Sequence, residues 1–336
     1  QNAHLPLNAV VFSIPVSLLG ARGSFVLTWL ASTVFLVAAL WILQTSLGFR
    51  WSTREQLVFL LLVFGWYPVV STLRSGQSGC AIALLCIAAW GFLRKGREGS
   101  AGVLVGIAAC LHAFPLFLLG YFLFRARKAL VSGVCTIILL TGAALLTSAP
   151  NTLAEWARTA SQVSDAYIPI RGNYSIAALI SFPLKQYSYQ PDYRLLTVGI
   201  AALCAIAIVL LARLWQPRRS TSALDLEYSV FLVAMLLISP LCWDRYFPVL
   251  ILPLAVLFRT AISGKQPIAY AGFAVLVLLS IPPSAVTDAY EWMLPVAGLP
   301  ASLAITTVPL MSVFLLFALL IQLTISERNS MTPVTQ

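Results

Sequence analysis

"SVFLVAMLLIS", residues 229–239, decides the fold. It is an unbroken apolar run with a serine at each end. A membrane barrel strand would alternate polar and apolar positions, and this run does not, so it reads as helix. Similar runs recur at 24–46, 55–73, 79–93, 100–124, 129–148, 193–212, 228–242, 246–262, 267–282 and 303–323, with a shorter one at 5–19. A bilayer helix needs ~20 apolar residues. Backbone groups in lipid must pair within a helix or a closed barrel. The chain is 60% apolar and 10% charged, with mean hydropathy +0.91; a soluble domain carries about 25% charge. The expected class is an all-α polytopic membrane protein. It would be a bundle of about ten to twelve membrane helices, some short or broken, with external interfacial helices. Residues 1–324 form one membrane domain and 325–336 ("ISERNSMTPVTQ") a frayed cytoplasmic tail.

The net charge of +10 does not point to nucleic acid, because the basic residues flank apolar runs. Orientation and lipid headgroups explain them better. The six cysteines lie in or beside apolar runs and form no paired C-x-x-C. They read as small core residues, not as a disulfide or metal set.

Pro115 in "CLHAFPLFLL", 110–119, splits one apolar run into two short helices, 100–111 and 114–124, that turn back at His112. With that return, the basic clusters Arg94, Lys95, Arg97 and Arg125, Arg127, Lys128 share the cytoplasmic side. Carrying the alternation along the chain puts fourteen of the 21 basic residues inside, Arg259 among them, and seven outside, Lys185 among them, as the positive-inside bias requires. The polar breaks then collect on the external side. The loop 149–192 is long enough to be functional. Its "TLAEWARTASQV" has a capping box at Thr152 and Glu155 and an apolar face through Leu153, Trp156, Ala157, Ala160 and Val163. It reads either as an interfacial helix or as a plain loop helix packed on the bundle.

Four short motifs carry chemistry. "RSGQSG", 74–79, opens a helix; Gln77 both donates and accepts, although a simple turn would look the same. His112 stands at a helix break, where an imidazole meets either a phosphate oxygen or freed backbone carbonyls. "GNYS", 172–175, offers Asn173 and Tyr174 to a sugar, or an N-cap. "SPLCWDRYFP", 239–248, places Trp243, Asp244, Arg245 and Tyr246 between two prolines. Asp244 and Arg245 are adjacent and would not face each other on a helix, so each needs its own partner. Asp288 and Glu291 form a weaker i,i+3 carboxylate pair in an external loop at 283–302, more consistent with solvation than with metal binding. No metal set and no nucleotide-cradling glycine loop is legible.

The order of these motifs resembles glycosyltransferase family 87, in the GT-C superfamily of polyprenol-phosphate-sugar-dependent membrane enzymes. The matching residues are Gly76-Gln77, His112 to Pro115, Gly172 to Ser175, and Ser239-Pro240 through Trp243-Asp244 and Tyr246. The opening "HLPLNAVVFSIPVSLLG" is similar to the family's "Y-P-P" helix. The family often has Lys at the position of His112 and His at that of Arg245, so a basic group is kept at both. The resemblance implies a GT-C-like bundle in a bacterial plasma membrane with its site facing the periplasm or exterior. It implies transfer of a hexose, mannose in this reading, from a polyprenyl-phosphate donor to a glycan or lipid acceptor, with inversion. The expected donor-phosphate contacts are His112, Arg245 and Gln77. The expected sugar or acceptor contacts are Asn173, Tyr174, Trp243 and Tyr246. Asp244 is the carboxylate of the site, expected to orient Arg245 or a sugar hydroxyl. The principal catalytic Asp, on an N-terminal span and loop, is expected upstream of Gln1. The partners are the bilayer, the lipid-linked sugar and the acceptor; no cofactor is required by this reading and a divalent metal is left open. A transporter or lipid flippase, and a non-catalytic scaffold, are the competing readings. A transporter should show polar residues on both sides and an internal repeat, and neither is evident.

Overall fold

A computed structural model describes residues 6–49, 52–146, 152–170, 172–186, 220–262 and 266–331, with isolated positions between 195 and 206. The expected span at 193–212 therefore lies outside the described residues, apart from those positions. All regular structure among the described residues is helical, as expected for an all-α membrane protein.

Helix α1, Pro6–Leu47, is kinked at Gly20, whose φ of 68° leaves the helical region. It joins the short 5–19 run to the following apolar segment. Helices α2 (Thr53–Gly65) and α3 (Tyr67–Ser75) bend by 59° at Trp66, where Pro68 prevents a continuous hydrogen-bond ladder. A capping box starts α2: the Glu55 N–H donates to the Ser52 hydroxyl, and the Ser52 N–H donates to the Glu55 carboxylate at 2.7 Å. Helices α4 (Gly79–Arg94) and α5 (Glu98–Leu111) follow, then a 3₁₀ turn at Phe114–Leu116 and α6 (Phe117–Arg125). The break at His112 is thus where Pro115 put it. Helices α7 (Arg127–Leu146), α8 (Thr152–Tyr167), α9 (Ile176–Gln186) and α10 (Thr221–Ile238) precede a 3₁₀ segment, Asp244–Leu250. Last come α11 (Ile251–Ile262), α12 (Gln266–Leu278), α13 (Pro283–Thr306) and α14 (Val308–Met331).

By length and composition four described helices can cross a membrane, or up to six if each bent pair is one span, and other apolar runs form shorter helices such as α4 and α5. Several finer expectations need correction. The external stretch 283–302 is helical, not a loop. Residues 325–331 continue α14, because Glu327 near its end accepts hydrogen bonds from Ser220 and Ser222, both at 3.1 Å. Cys135 is exposed on α7, while Cys80, Cys86, Cys110 and Cys242 are buried as core residues; Cys204 lies outside the described residues. Within α8, Trp156 and Val163 are half-buried and Ala157 is exposed.

The bundle has two chemically distinct ends. At one end α4, α6 and α11 finish and α10 begins. There the buried Asp225 takes the Trp90 indole N–H at 2.9 Å and pairs with Arg94 at 3.5 Å and Arg259 at 3.3 Å. Glu227, one turn fraction on, pairs with Arg125 at 3.2 Å. Arg94, Arg125 and Arg259, assigned to one side by charge bias, do share one end. Close approach of α5 and α7 is permitted by small residues. A Cβ at Gly102 would overlap the Ala129 carbonyl, and one at Gly106 would sit 2.7 Å from the Gly133 carbonyl oxygen. This packing fixes the return at His112 toward the opposite end.

Candidate functional site

At that opposite end, the 3₁₀ segment Asp244–Leu250 packs on α3 and α4. Pro240 and Pro248 deny it a regular helix, so it presents side chains that a continuous helix would scatter. Trp243 holds an extended conformation just before it. The Arg245 guanidinium lies 5.1 Å from the centre of the Trp243 ring, a cation–π contact. Tyr167 meets the same indole edge-on at 6.2 Å. Gly172, at φ +91°, passes beneath it, where a Cβ would stand 3.6 Å from the indole.

Asp244 is buried, at 8% exposure, and forms no ion pair with Arg245. Its carboxylate faces Tyr67 of α3, Tyr174 and Cys242 closely enough to act on each through space. Burial, and then this negative charge, pushes the Tyr174 phenol and the Cys242 thiol up. Burial pushes Tyr246 up to about 12. Both phenols are therefore neutral hydroxyls at physiological pH. The Tyr174 hydroxyl is buried and makes no hydrogen bond among the described residues, as does the Arg245 Nε–H. Two unpaired buried donors beside a carboxylate suit an oxygen-rich ligand.

His112, at 3% exposure, shares a 2.8 Å hydrogen bond between Nε2 and the Ser78 hydroxyl. Its ring meets Tyr246 edge-on at 5.2 Å and lies 5.7 Å from Phe114. It is thus enclosed more deeply than an anion-facing imidazole in open solvent. Gln77 is half-buried in the turn closed by Gly76 in the left-handed region. Its backbone N–H donates to the Thr72 carbonyl at 3.3 Å, and its side chain makes no hydrogen bond among the described residues.

Asn173 has a different occupation from the one its motif implied. Its amide nitrogen donates to the carbonyls of Ile168 at 3.2 Å and Pro240 at 3.0 Å, and its side-chain oxygen accepts the Cys242 N–H at 2.8 Å. The Ser175 hydroxyl adds a bond to the Pro240 carbonyl at 2.9 Å and accepts the Ala178 N–H as the α9 cap. The "GNYS" motif therefore clips its loop to the start of "CWDR". Beside it a small cleft opens between α9 and the α13–α14 junction, lined by Tyr174, Ser175, Phe182, Thr306 and Thr307 among others. Asp288 and Glu291 are exposed on α13.

The model of glycosyltransferase family 87 matches residues 4–240. The chain belongs to that family. Neither the curated proteins nor the solved structures give a match. This family 87 glycosyltransferase uses a sugar donor and a glycan or lipid acceptor at a membrane. The matched span includes Gln77, His112, Asn173 and Tyr174 and stops before Trp243. The fold brings Trp243, Asp244, Arg245 and Tyr246 against it. Sequence reading missed Tyr67 and Ser78 as neighbours of Asp244 and His112. Ser78 was in view inside "RSGQSG"; Tyr67 had no local signal, since only the packing of α3 on the 3₁₀ segment brings it there.

Proposed function

We propose that this glycosyltransferase moves a hexose, mannose in our reading, from a polyprenyl-phosphate donor to a glycan or lipid acceptor at the external membrane face, with inversion. The observation that carries the reading is the convergence of Arg245, Asp244, Tyr174 and the His112–Ser78 pair at one end of the bundle. A lipid phosphate leaving group is already acidic. It needs cationic and hydrogen-bonding stabilisation rather than a proton donor of high pKa. Arg245 offers a fixed fork of donors for that purpose. His112 supports the phosphate from behind Tyr246, and Gln77 extends a free carboxamide from the adjoining turn. Trp243 and Tyr246 supply ring faces for the sugar. Positive charge develops on that ring in the transition state, as in other glycosyl transfers. Tyr174 and Asp244 hold sugar or acceptor hydroxyls; Asp244 is free for this because it does not pair with Arg245. A carboxylate base accepts the acceptor's hydroxyl proton as its oxygen attacks the anomeric carbon. Asn173 acts through the loop it clips.

The test is transfer by the purified full-length protein in lipid, with labelled polyprenyl-phosphate mannose. A new glycoside of inverted anomeric configuration is the expected product. Movement of the labelled lipid across the bilayer with no glycoside formed would replace this reading with a flippase. Arg245→Ala and His112→Ala should each weaken donor binding, and unchanged affinity in both rejects the phosphate assignment.

A further inference from the structure

Arg245 is aimed by no acidic side chain among the described residues. Among them its guanidinium has a buried, unpaired Nε–H. Its direction must come from the backbone that carries it and from the Trp243 face. That backbone is held from far away in sequence. The Thr72 hydroxyl lies 3.0 Å from the Arg245 carbonyl oxygen, across 173 positions of chain, and 2.7 Å from the Pro68 carbonyl one turn back in α3. One hydroxyl proton is shared between the two acceptors, which ties α3 to the 3₁₀ segment. Gly79, the first residue of α4, closes the other side. A Cβ there would overlap the Arg245 carbonyl oxygen and would stand 3.0 Å from the Thr72 methyl carbon. Only glycine lets α4, α3 and the Arg245 backbone meet at this point. Thr72 also reaches the adjoining turn, since its carbonyl accepts the Gln77 N–H at 3.3 Å and the Ser75 hydroxyl at 3.2 Å.

We infer that Thr72 and Gly79 are positioning residues of the transfer reaction, which set the height and direction of Arg245 over Trp243. Both are buried, so they act through the backbone they hold rather than as ligand contacts. The inference rests on the reading of Arg245 as a donor-phosphate contact. A guanidinium loses much of its effect on a phosphate oxygen when moved by about an ångström, so a carbonyl grip remote from the ligand can govern donor use.

The test uses the full chain with 5-fluorotryptophan incorporated, the Trp243 fluorine resonance being assigned from Trp243→Phe. Thr72→Val keeps the shape and removes the hydroxyl; Thr72→Ser keeps the hydroxyl. Thr72→Val should shift the Trp243 resonance and raise KM for labelled polyprenyl-phosphate mannose about ten-fold, with a smaller change in kcat. Thr72→Ser should restore both, and Gly79→Ala should act in the same direction as Thr72→Val. If Gly79→Ala does not fold, the threonine pair decides alone. An unmoved Trp243 resonance in Thr72→Val, or equal losses in Thr72→Val and Thr72→Ser, overturns the inference. Arg245→Ala run beside them separates the two claims. If it leaves KM unchanged, the phosphate assignment is wrong, while the fluorine resonance still judges the positioning role.

Discussion

Ser78 and His112, 34 positions apart, share a 2.8 Å hydrogen bond in a buried setting at the end of the bundle that carries Arg245. Ser78 stands just before α4, and His112 just after α5. The pair therefore locks a helix start to a helix break. It also fixes the imidazole plane against Tyr246. Ser78→Ala should leave a buried ring nitrogen without this partner and cost about 1–3 kcal/mol. The check is chemical unfolding in detergent, with Ser78→Thr as the variant that retains the hydroxyl. Equal stability of the alanine variant and the parent would remove Ser78 from this role.

Asn173→Ala should behave as a scaffold lesion. It strands the Cys242 N–H, takes the amide donor from the Ile168 carbonyl and leaves the Pro240 carbonyl with only the Ser175 hydroxyl, at the joint between the two loops. A loss of about 2–3 kcal/mol is expected, because several polar groups lose partners at once. Donor affinity of the folded fraction should fall less than in Arg245→Ala. An Asn173→Ala protein of parental stability, with donor binding abolished, would instead make Asn173 a direct ligand contact.

The opposite end of the bundle predicts a different phenotype. Asp225→Ala leaves Arg94 without its carboxylate and the Trp90 N–H without an acceptor. Removing one partner of a buried charge pair costs roughly 3–5 kcal/mol. Solvent screening at the half-exposed Arg259 lowers that contact's share. The unfolding midpoint should drop sharply, while KM for the donor in the remaining folded protein stays within about two-fold. A large KM change with intact stability would tie this ion cluster to the reaction.

Orientation can be read by labelling. Arg127 begins α7, beside the end that holds Arg125, and Lys185 lies near the end of α9; both are exposed. Arg127→Cys and Lys185→Cys, with the exposed Cys135 replaced by Ser, should react with a membrane-impermeant maleimide from opposite sides of sealed vesicles. Reaction from the same side would break the side assignment from Lys and Arg bias.

The sequence alone determined what short-range physics controls. Unbroken apolar runs gave helices, because a backbone in lipid must satisfy its own hydrogen bonds. Pro115 located the His112 break, and the charge bias grouped Arg94, Arg125 and Arg259. The motif order indicated the family. Other features escaped it because they depend on partners distant in the chain. Asp225 and Glu227 interrupt the apolar pattern before residue 228, so the start of α10 was not visible until their arginine partners were in place. The helical end of α14 depends on Glu327 meeting Ser220 and Ser222. Asn173 looked like a sugar contact because its motif says nothing of the Cys242 and Pro240 backbone it binds. "RSGQSG" looked like a turn with a useful glutamine; only its packing against the Arg245 carbonyl explains why Gly79 has no side chain. A local pattern reports which atoms want partners. Which partners they obtain is settled by the close packing of helices from remote parts of the chain.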